Sequence, residues 1–291
     1  MATYKLARGA SIPALAYGTG TYWYKRDKNA KLNRGLVDSI KLALTIGYRH
    51  IDTAEAYGTE EEVGVALKEF LEESDLQRND IFVTTKVFET LPDVEKAINT
   101  SLRKLQLSYV DLYLIHAPFF KEGTELPKVW RQLEGLVQDG RAKAIGVSNF
   151  RVSDLEQLLA VAQIKPVANQ VEFNPYLQQP EATAFNRHNG LLIESYSPLT
   201  SLVSKPGGPV DAVVDELAAQ YGKSPAEVLL RWNLQKGNVI VTTSSKPERL
   251  REFLTTSEWR LTDAEVAQID AAGQKLHFRK FWAKHFGESE E

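Results

Sequence analysis

The sequence predicts a fold of the α/β class, a single (β/α)8 TIM barrel with an N-terminal β-hairpin and a C-terminal helical or loop tail. Three observations carry that expectation. Eight short, β-rich apolar runs alternate with longer amphipathic runs, the pattern of parallel strands joined by crossover helices. No linker-like shift in composition divides the chain. Its 291 residues, 43% of them hydrophobic, are enough for one barrel core.

In chain order the strand candidates are 14–17 (ALAY), 50–52 (HID), 81–86 (IFVTTK), 110–116 (VDLYLIH), 144–149 (AIGVSN), 167–173 (VANQVEF), 191–197 (LLIESYS) and 239–243 (VIVTT). Helical spacing separates them. Residues 35–47 place Leu36, Ile40, Ala43, Leu44 and Gly47 on one side; 61–73 repeat Val63, Leu67, Phe70 and Leu71; 94–107 repeat Ile98, Leu102 and Leu105. Thr59 with Glu62 and Thr262 with Glu265 have capping-box spacing, and Ser224-Pro225 with Glu227 marks another helix start. Residues 1–13 hold the hairpin, Tyr4–Pro13, with Arg8-Gly9 at its turn, and 274–291 form the tail, whose end, 287–291, reads as frayed and acidic. The expected unit is one domain over 1–291.

A net charge of −3 and a pI near 6.0 give no basic field for nucleic acid or an anionic membrane. The absence of cysteine removes disulfides, thiolate metal sites and cysteine nucleophiles, and it fits a reducing, cytoplasmic compartment. The start, MATYKLARGA, has no apolar signal region, and no 18-residue apolar run occurs, so no membrane partner is expected. The five histidines show no metal-binding spacing, so no metal is expected.

Polar residues collect at the strand ends: Asp52, Lys86, His116, Asn149, Gln170, Tyr196 and Thr243. In a barrel those ends share one face, where active sites are built. Singly, each has a plain structural reading: a helix cap, a solvated lysine, a core histidine. Together, Asp52, Tyr57, Lys86 and His116 make a device. A phenol with an unperturbed pKa of about 10 is a poor acid–base catalyst near neutrality. An ammonium beside it favours the phenolate, and a carboxylate must then balance that ammonium. A histidine can orient a carbonyl oxygen toward the phenol. Within YRHIDTAEAYG, this assigns the work to Asp52 and Tyr57, leaving Glu55 as a solvated loop carboxylate and His50 inside a strand.

The stretches IDTAEAYGTEEEVG, TTKV, LIHAP, GVSNF, NQVEFNP and SYSPL occur in this order. On these motifs the chain resembles the aldo-keto reductases from about residue 4 to residue 285. The resemblance implies a nicotinamide cofactor lying across the C-terminal face and hydride reduction of an aldehyde or ketone, a small-molecule carbonyl. It implies Tyr57 as proton donor, Lys86 and Asp52 as its tuning pair, and His116 as the carbonyl-orienting group. Ser148, Asn149 and Gln170 would bond the carboxamide, and Tyr196 would stack on the nicotinamide. Ser197, Leu199 and Ser201 would hold the pyrophosphate, with Gly18, Thr19 and Gly20 beside the cofactor. The adenosine end would meet Thr242, Thr243, Ser244, Ser245, Lys246, Arg249 and Glu252.

Several positions depart from the family pattern. Thr243 stands where a lysine for the 2′-phosphate is usual, while Arg249 remains and Lys246 lies nearby. NADPH is therefore expected, with NADH as the alternative. Phe253 replaces an asparagine beside the adenine and suggests apolar stacking. Ala117 replaces a tryptophan after His116, and the following loop is short, suggesting a wide pocket lined by Trp23, Phe119 and Phe120. The aromatic tail, with Phe278, Phe281, Trp282 and Phe286, reads as an amphipathic helix docked on the barrel, with Trp282 bordering the pocket. These features resemble a fungal subgroup that reduces α-dicarbonyls: conjugated polyketones, ketopantoyl lactone, α-keto amides and α-keto esters. Look-alikes are monomers or homodimers. Two other functions compete: a cofactor-binding regulatory subunit of a channel, and a barrel glycosidase using Asp52/Glu55 or Glu172/Glu194 as paired carboxylates.

Overall fold

The computed structural model of the chain describes residues 2–6, 9–28 and 30–288. Strands β1 (Thr3–Lys5) and β2 (Ser11–Pro13) form an antiparallel hairpin in which Tyr4 faces Ile12. Its turn includes Gly9 at φ +88°, a conformation open to glycine at little cost, while Arg8 lies outside the described residues. Eight parallel strands then close a barrel: β3 (Leu15–Gly18), β4 (His50–Asp52), β5 (Phe82–Val87), β6 (Val110–Ile115), β7 (Ala142–Ser148), β8 (Ala168–Glu172), β9 (Leu192–Tyr196) and β10 (Val239–Thr242). β10 pairs back onto β3 through Ile240 and Leu15, so no edge is left unpaired. Each expected strand is present, with ends displaced by at most two residues.

The helices are α1 (Arg34–Ile46), α2 (Glu60–Glu72), α3 (Val94–Leu105), α4 (Leu126–Gln138), α5 (Val152–Leu159), α6 (Pro180–His188), α7 (Thr200–Val203), α8 (Asp211–Tyr221), α9 (Pro225–Gln235), α10 (Pro247–Leu254) and α11 (Asp263–Gly273). Their apolar stripes bury Leu36, Ile40, Leu44, Val63, Leu67, Ile98 and Leu102 against the outward side chains of the strands. Inside the barrel the lower end is apolar. Leu6 and Ile12 from the hairpin region join Phe82, Leu112, Leu114, Ala144, Val167, Ala168 and Val239 and plug it. None of the helices among the described residues is long and apolar enough to cross a membrane.

Two of the three helix-start signals form as expected: Ser224 with Glu227 and Thr262 with Glu265 make reciprocal capping boxes. Thr59 does not. It is buried between two strand-end loops, and its hydroxyl meets those of Thr19 and Thr53 at 2.9 and 3.1 Å. Glu62 accepts from Lys25 Nζ and Asn33 N instead, both at 2.8 Å.

The tail also differs from expectation. Beyond α11 it crosses the barrel mouth without regular structure and ends in a 3-10 turn, Ala283–Phe286. Glu172 explains the failure to form a helix: its carboxyl captures the N–H groups of Lys280 and Phe281 at 2.9–3.1 Å. Trp282 follows at φ +63°, which also breaks helical progression. The expected fraying does not begin at Gly287, because Glu288 pairs with Arg279 at 2.9 Å and His277 at 2.8 Å. Residues 289–291 lie outside the described residues.

Candidate active site

Register places the charged residues. Asp52 ends β4 opposite Thr84 of β5, and Lys86 lies two residues farther along, on the same inward face. Lys86 Nζ, fully buried, donates to Asp52 Oδ1 and Oδ2 at 2.7 and 2.9 Å and to the Thr53 carbonyl at 2.9 Å. A fourth contact, at 3.4 Å, reaches the Tyr57 hydroxyl. Tyr57 closes the short 3-10 turn Glu55–Tyr57 that follows β4. The turn is held in place: Lys25 N donates to the Tyr57 carbonyl at 3.0 Å, and a Cβ at Gly20 would stand 3.1 Å from the Tyr57 ring. His116, just past β6, meets that ring edge-on with centroids 5.4 Å apart.

Glu55 is not a solvated loop carboxylate. It accepts from the N–H groups of Phe88 and Glu89 at 2.9 Å and of Thr90 at 3.4 Å, and from the Thr90 hydroxyl. The loop after β5 turns its amides inward at this point, so Glu55 fastens that loop to the turn carrying Tyr57. His50 is buried in β4 with Nε2 2.9 Å from the Thr84 hydroxyl, and burial lowers its pKa to about 4, so it is neutral near pH 7.

Electrostatics follow from burial. Burial pushes the Tyr57 phenol above its ordinary value; Lys86 pulls it back and Asp52 adds to the rise. The ammonium thus restrains the phenol's pKa without lowering it overall, so the hydroxyl carries its proton at neutral pH. Burial would depress the Lys86 ammonium, but Asp52 foremost among its neighbours reverses this and the net is upward. Burial first, then Lys86, holds His116 well below the usual histidine range. Its imidazole is neutral, and its Nδ1 has no hydrogen-bond partner.

Around this centre the expected cofactor residues form one polar arc. Tyr196 donates to Asn149 Oδ1 at 2.7 Å, and Asn149 Nδ2 donates to the His116 carbonyl at 2.9 Å and to Ser148 Oγ at 3.0 Å. Ser148 donates to the Gln170 carbonyl at 2.7 Å. Gln170 is fixed through its amide nitrogen. Its Nε2 points into the barrel, 2.8 Å from Asp52 Oδ2 and 3.1 Å from Glu194 Oε2, leaving its amide oxygen for a carboxamide N–H. Thr19 N donates to the Asp52 carbonyl at 2.9 Å, and Gly18 and Gly20 form close backbone approaches on either side.

On the pyrophosphate side, Ser197 is at φ +52°, Leu199 precedes α7, and Ser201 Oγ is buried with no hydrogen-bond partner. At the far end Thr242 is buried, Thr243, Ser244 and Glu252 are half-buried, and Ser245, Lys246 and Arg249 are exposed. Phe253 cannot stack on an adenine. It is buried in the strand–helix core, beside Ala14, Leu15 and Ile240. An orphaned Ser201 hydroxyl and two exposed cations, Lys246 and Arg249, next to the hydroxyls of Ser244 and Ser245 are donors of the kind that dinucleotide phosphates use, so the residues present fit NADP.

Trp282 stands over the site with ring centroids 6.4 Å from His116, 5.7 Å from Phe88 and 5.2 Å from Phe119. His285 stacks on Phe119 at 4.3 Å. Phe88, two residues past Lys86, was not singled out from sequence although it follows the same strand end. Phe120 packs on the outer core, and the Trp23 indole donates to the Tyr17 hydroxyl at 3.0 Å. Ala117 is fully buried and lends no wall. The aromatic wall joins Phe88 and Phe119, from the loops after β5 and β6, to Trp282 of the tail. The paired carboxylates of the glycosidase alternative are all committed elsewhere: Asp52 to Lys86, Glu55 to a loop, Glu172 to the tail, Glu194 inside the barrel.

Known proteins resemble this chain over nearly its whole length. The model of the aldo/keto reductase family matches residues 14–274. An NAD/NADP-dependent indole-3-acetaldehyde reductase of Schizosaccharomyces pombe is 40% identical over 286 residues, covering 97% of this chain and 99% of its own. An NADPH-dependent alpha-keto amide reductase of Saccharomyces cerevisiae is 39% identical over 300 residues, covering 98% and 95%. Among solved structures, a Bombyx mori aldo-keto reductase in complex with NADP superposes with a TM-score of 0.87 at 31% identity, covering 97% of this chain and 96% of its own.

Proposed function

The chain belongs to the aldo/keto reductase family, and on that premise we propose that it is a cytoplasmic, NADPH-dependent carbonyl reductase with Tyr57 as its general acid. The observation that carries the reading is the Lys86 ammonium between the Asp52 carboxylate and the Tyr57 hydroxyl, with neutral His116 alongside. NADPH, when bound, supplies the hydride to the carbonyl carbon. The chain's own residues handle the proton. His116, neutral, orients the carbonyl oxygen as a donor without adding a second positive charge. Tyr57 gives its proton to that oxygen as negative charge develops there, and Lys86 stabilises the phenolate left behind. Asp52 keeps Lys86 charged and in place.

Arg249 and Lys246, both exposed beside Ser244 and Ser245, favour NADPH over NADH. The substrates are aldehydes and activated ketones, with α-dicarbonyls, α-keto esters, conjugated polyketones and ketopantoyl lactone the favoured class. Vicinal carbonyls are electron-poor hydride acceptors, and Phe88, Phe119 and Trp282 offer an apolar aromatic cluster beside them. The Saccharomyces cerevisiae relative, named for α-keto amides, supports the dicarbonyl class, and the Schizosaccharomyces pombe relative, named for indole-3-acetaldehyde, supports aldehydes. The unit is the whole barrel over 1–291, acting as a monomer or homodimer.

The test is NADPH oxidation across a panel of dicarbonyls, aldehydes and sugars, with Tyr57→Phe alongside. The variant should bind NADPH normally and lose roughly 10²–10⁴ in kcat, the usual worth of a positioned acid. A fully active variant would refute the proton donor. Good turnover of aldoses with none of ketopantoyl lactone or α-keto esters would overturn the substrate class. Tight cofactor binding with no turnover of any carbonyl would favour a regulatory, channel-subunit-like role.

A further inference from the structure

Glu194 lies in β9 with its side chain inside the barrel and is fully buried. An ionised carboxylate there would need compensation that the site does not offer. Oε2 accepts from Gln170 Nε2 at 3.1 Å, and Oε1 has no hydrogen-bond partner. The same Gln170 nitrogen donates to Asp52 Oδ2 at 2.8 Å, so one amide group bridges two carboxyl groups. The charged groups facing Glu194 are Asp52 from β4, which opposes its ionisation, and Lys86 from β5, which favours it. Its register partners are Gln170 on β8 and Val239 on β10, neither ionisable. Tyr57, neutral His50 and neutral His116 are the other titratable groups around the Asp52–Lys86 pair. One cation thus serves two carboxyl groups, and the layer is neutral only when one of them holds a proton. Burial, then Asp52, lifts the Glu194 carboxyl to about 7.

We propose that Glu194 is a positioning residue for proton transfer: as a neutral acid it fixes Gln170 on Asp52, and its ionisation makes Tyr57 a weaker acid. This rests on Tyr57 being the proton donor. The sign follows from charge. Negative charge on Glu194 favours the protonated forms of Lys86 and, beyond it, Tyr57. Glu194 titrates below the phenol, so in the wild type it is already ionised when the phenolate forms.

The experiment compares wild type, Glu194→Gln and Glu194→Leu. Alcohol oxidation with NADP, which needs the Tyr57 phenolate as base, is followed against pH. Both variants should move the limb assigned to Tyr57 downward by about one unit, because both remove the charge. Glu194→Leu should also lose kcat that Glu194→Gln keeps, since only glutamine can still accept from Gln170. Isotope-edited infrared spectra should show a protonated carboxylic acid that titrates near neutrality in the wild type and is missing in Glu194→Gln. Variants that keep the wild-type limb, or a wild-type spectrum without that acid, would overturn the proposal. If Tyr57→Phe stays active while the infrared titration persists, it is the proton-donor reading that has failed, and the role given to Glu194 falls with it.

Discussion

The barrel interior has an apolar base and a charged upper layer, and the same strands line both. At the base, Leu6, Ile12, Phe82, Leu112 and Val239 exclude water by packing alone. Above them Asp52, Lys86, Gln170 and Glu194 are equally buried, yet almost every polar atom there needs a named partner. An apolar layer tolerates approximate filling and loses stability in proportion to what is removed. A buried polar layer fails as a unit, because removing one member leaves the rest uncompensated. The base stabilises the barrel; the upper layer spends some of that stability on a set of pKa values.

Substitutions can break this contrast. Lys86→Met should have the largest effect: roughly 10²–10⁴ in kcat and about 3–5 kcal/mol of stability, since Asp52 is left buried without its cation. Adding Asp52→Asn should restore much of the melting temperature and none of the activity, which would separate charge balance from catalysis. At the base, Leu112→Ala should cost about 2–5 kcal/mol by cavity formation, with kcat per folded molecule unchanged. A large kcat loss there would mean that the two layers are not independent.

Glu194→Gln sharpens the comparison through pH. The acid is raised from 4.5 to about 7 on folding, so the folded state holds the proton more tightly than the unfolded chain. Wild-type stability relative to the variant is therefore greatest below pH 4.5 and declines as pH rises through about 7, by on the order of 3 kcal/mol. Thermal unfolding of both proteins across that range checks it. The smallest effect belongs to the tail. Glu172→Ala frees the Lys280 and Phe281 amides and loosens Trp282, so KM should rise roughly tenfold with kcat little changed.

Much of this was legible in the sequence because strand periodicity and strand-end polarity are local signals. Asp52, Lys86 and His116 could be placed on one face from eight apolar runs, and Tyr57 from its motif. What could not be read depends on partners that have no sequence signature. Glu55 and Glu172 both bind backbone N–H groups of distant loops, and any residue can supply those. Thr59 has capping-box spacing but sits where two other hydroxyls compete for it. The tail has an amphipathic pattern, which Glu172 overrides by taking the amides a helix would use. Phe253 occupies a cofactor-side motif position and yet turns inward, because α10 presents its apolar stripe to the core. Glu194 is one more polar residue within a strand until Gln170 connects it to Asp52.

The central claim is that the Tyr57 phenol itself carries the proton under the control of Lys86. Replacing Tyr57 with fluorinated tyrosines of graded acidity, and following alcohol oxidation against pH, tests it most directly. The limb that reports phenolate formation should move down in step with each phenol's own acidity. A limb that stays fixed while the phenol's acidity changes would show that another group carries the proton.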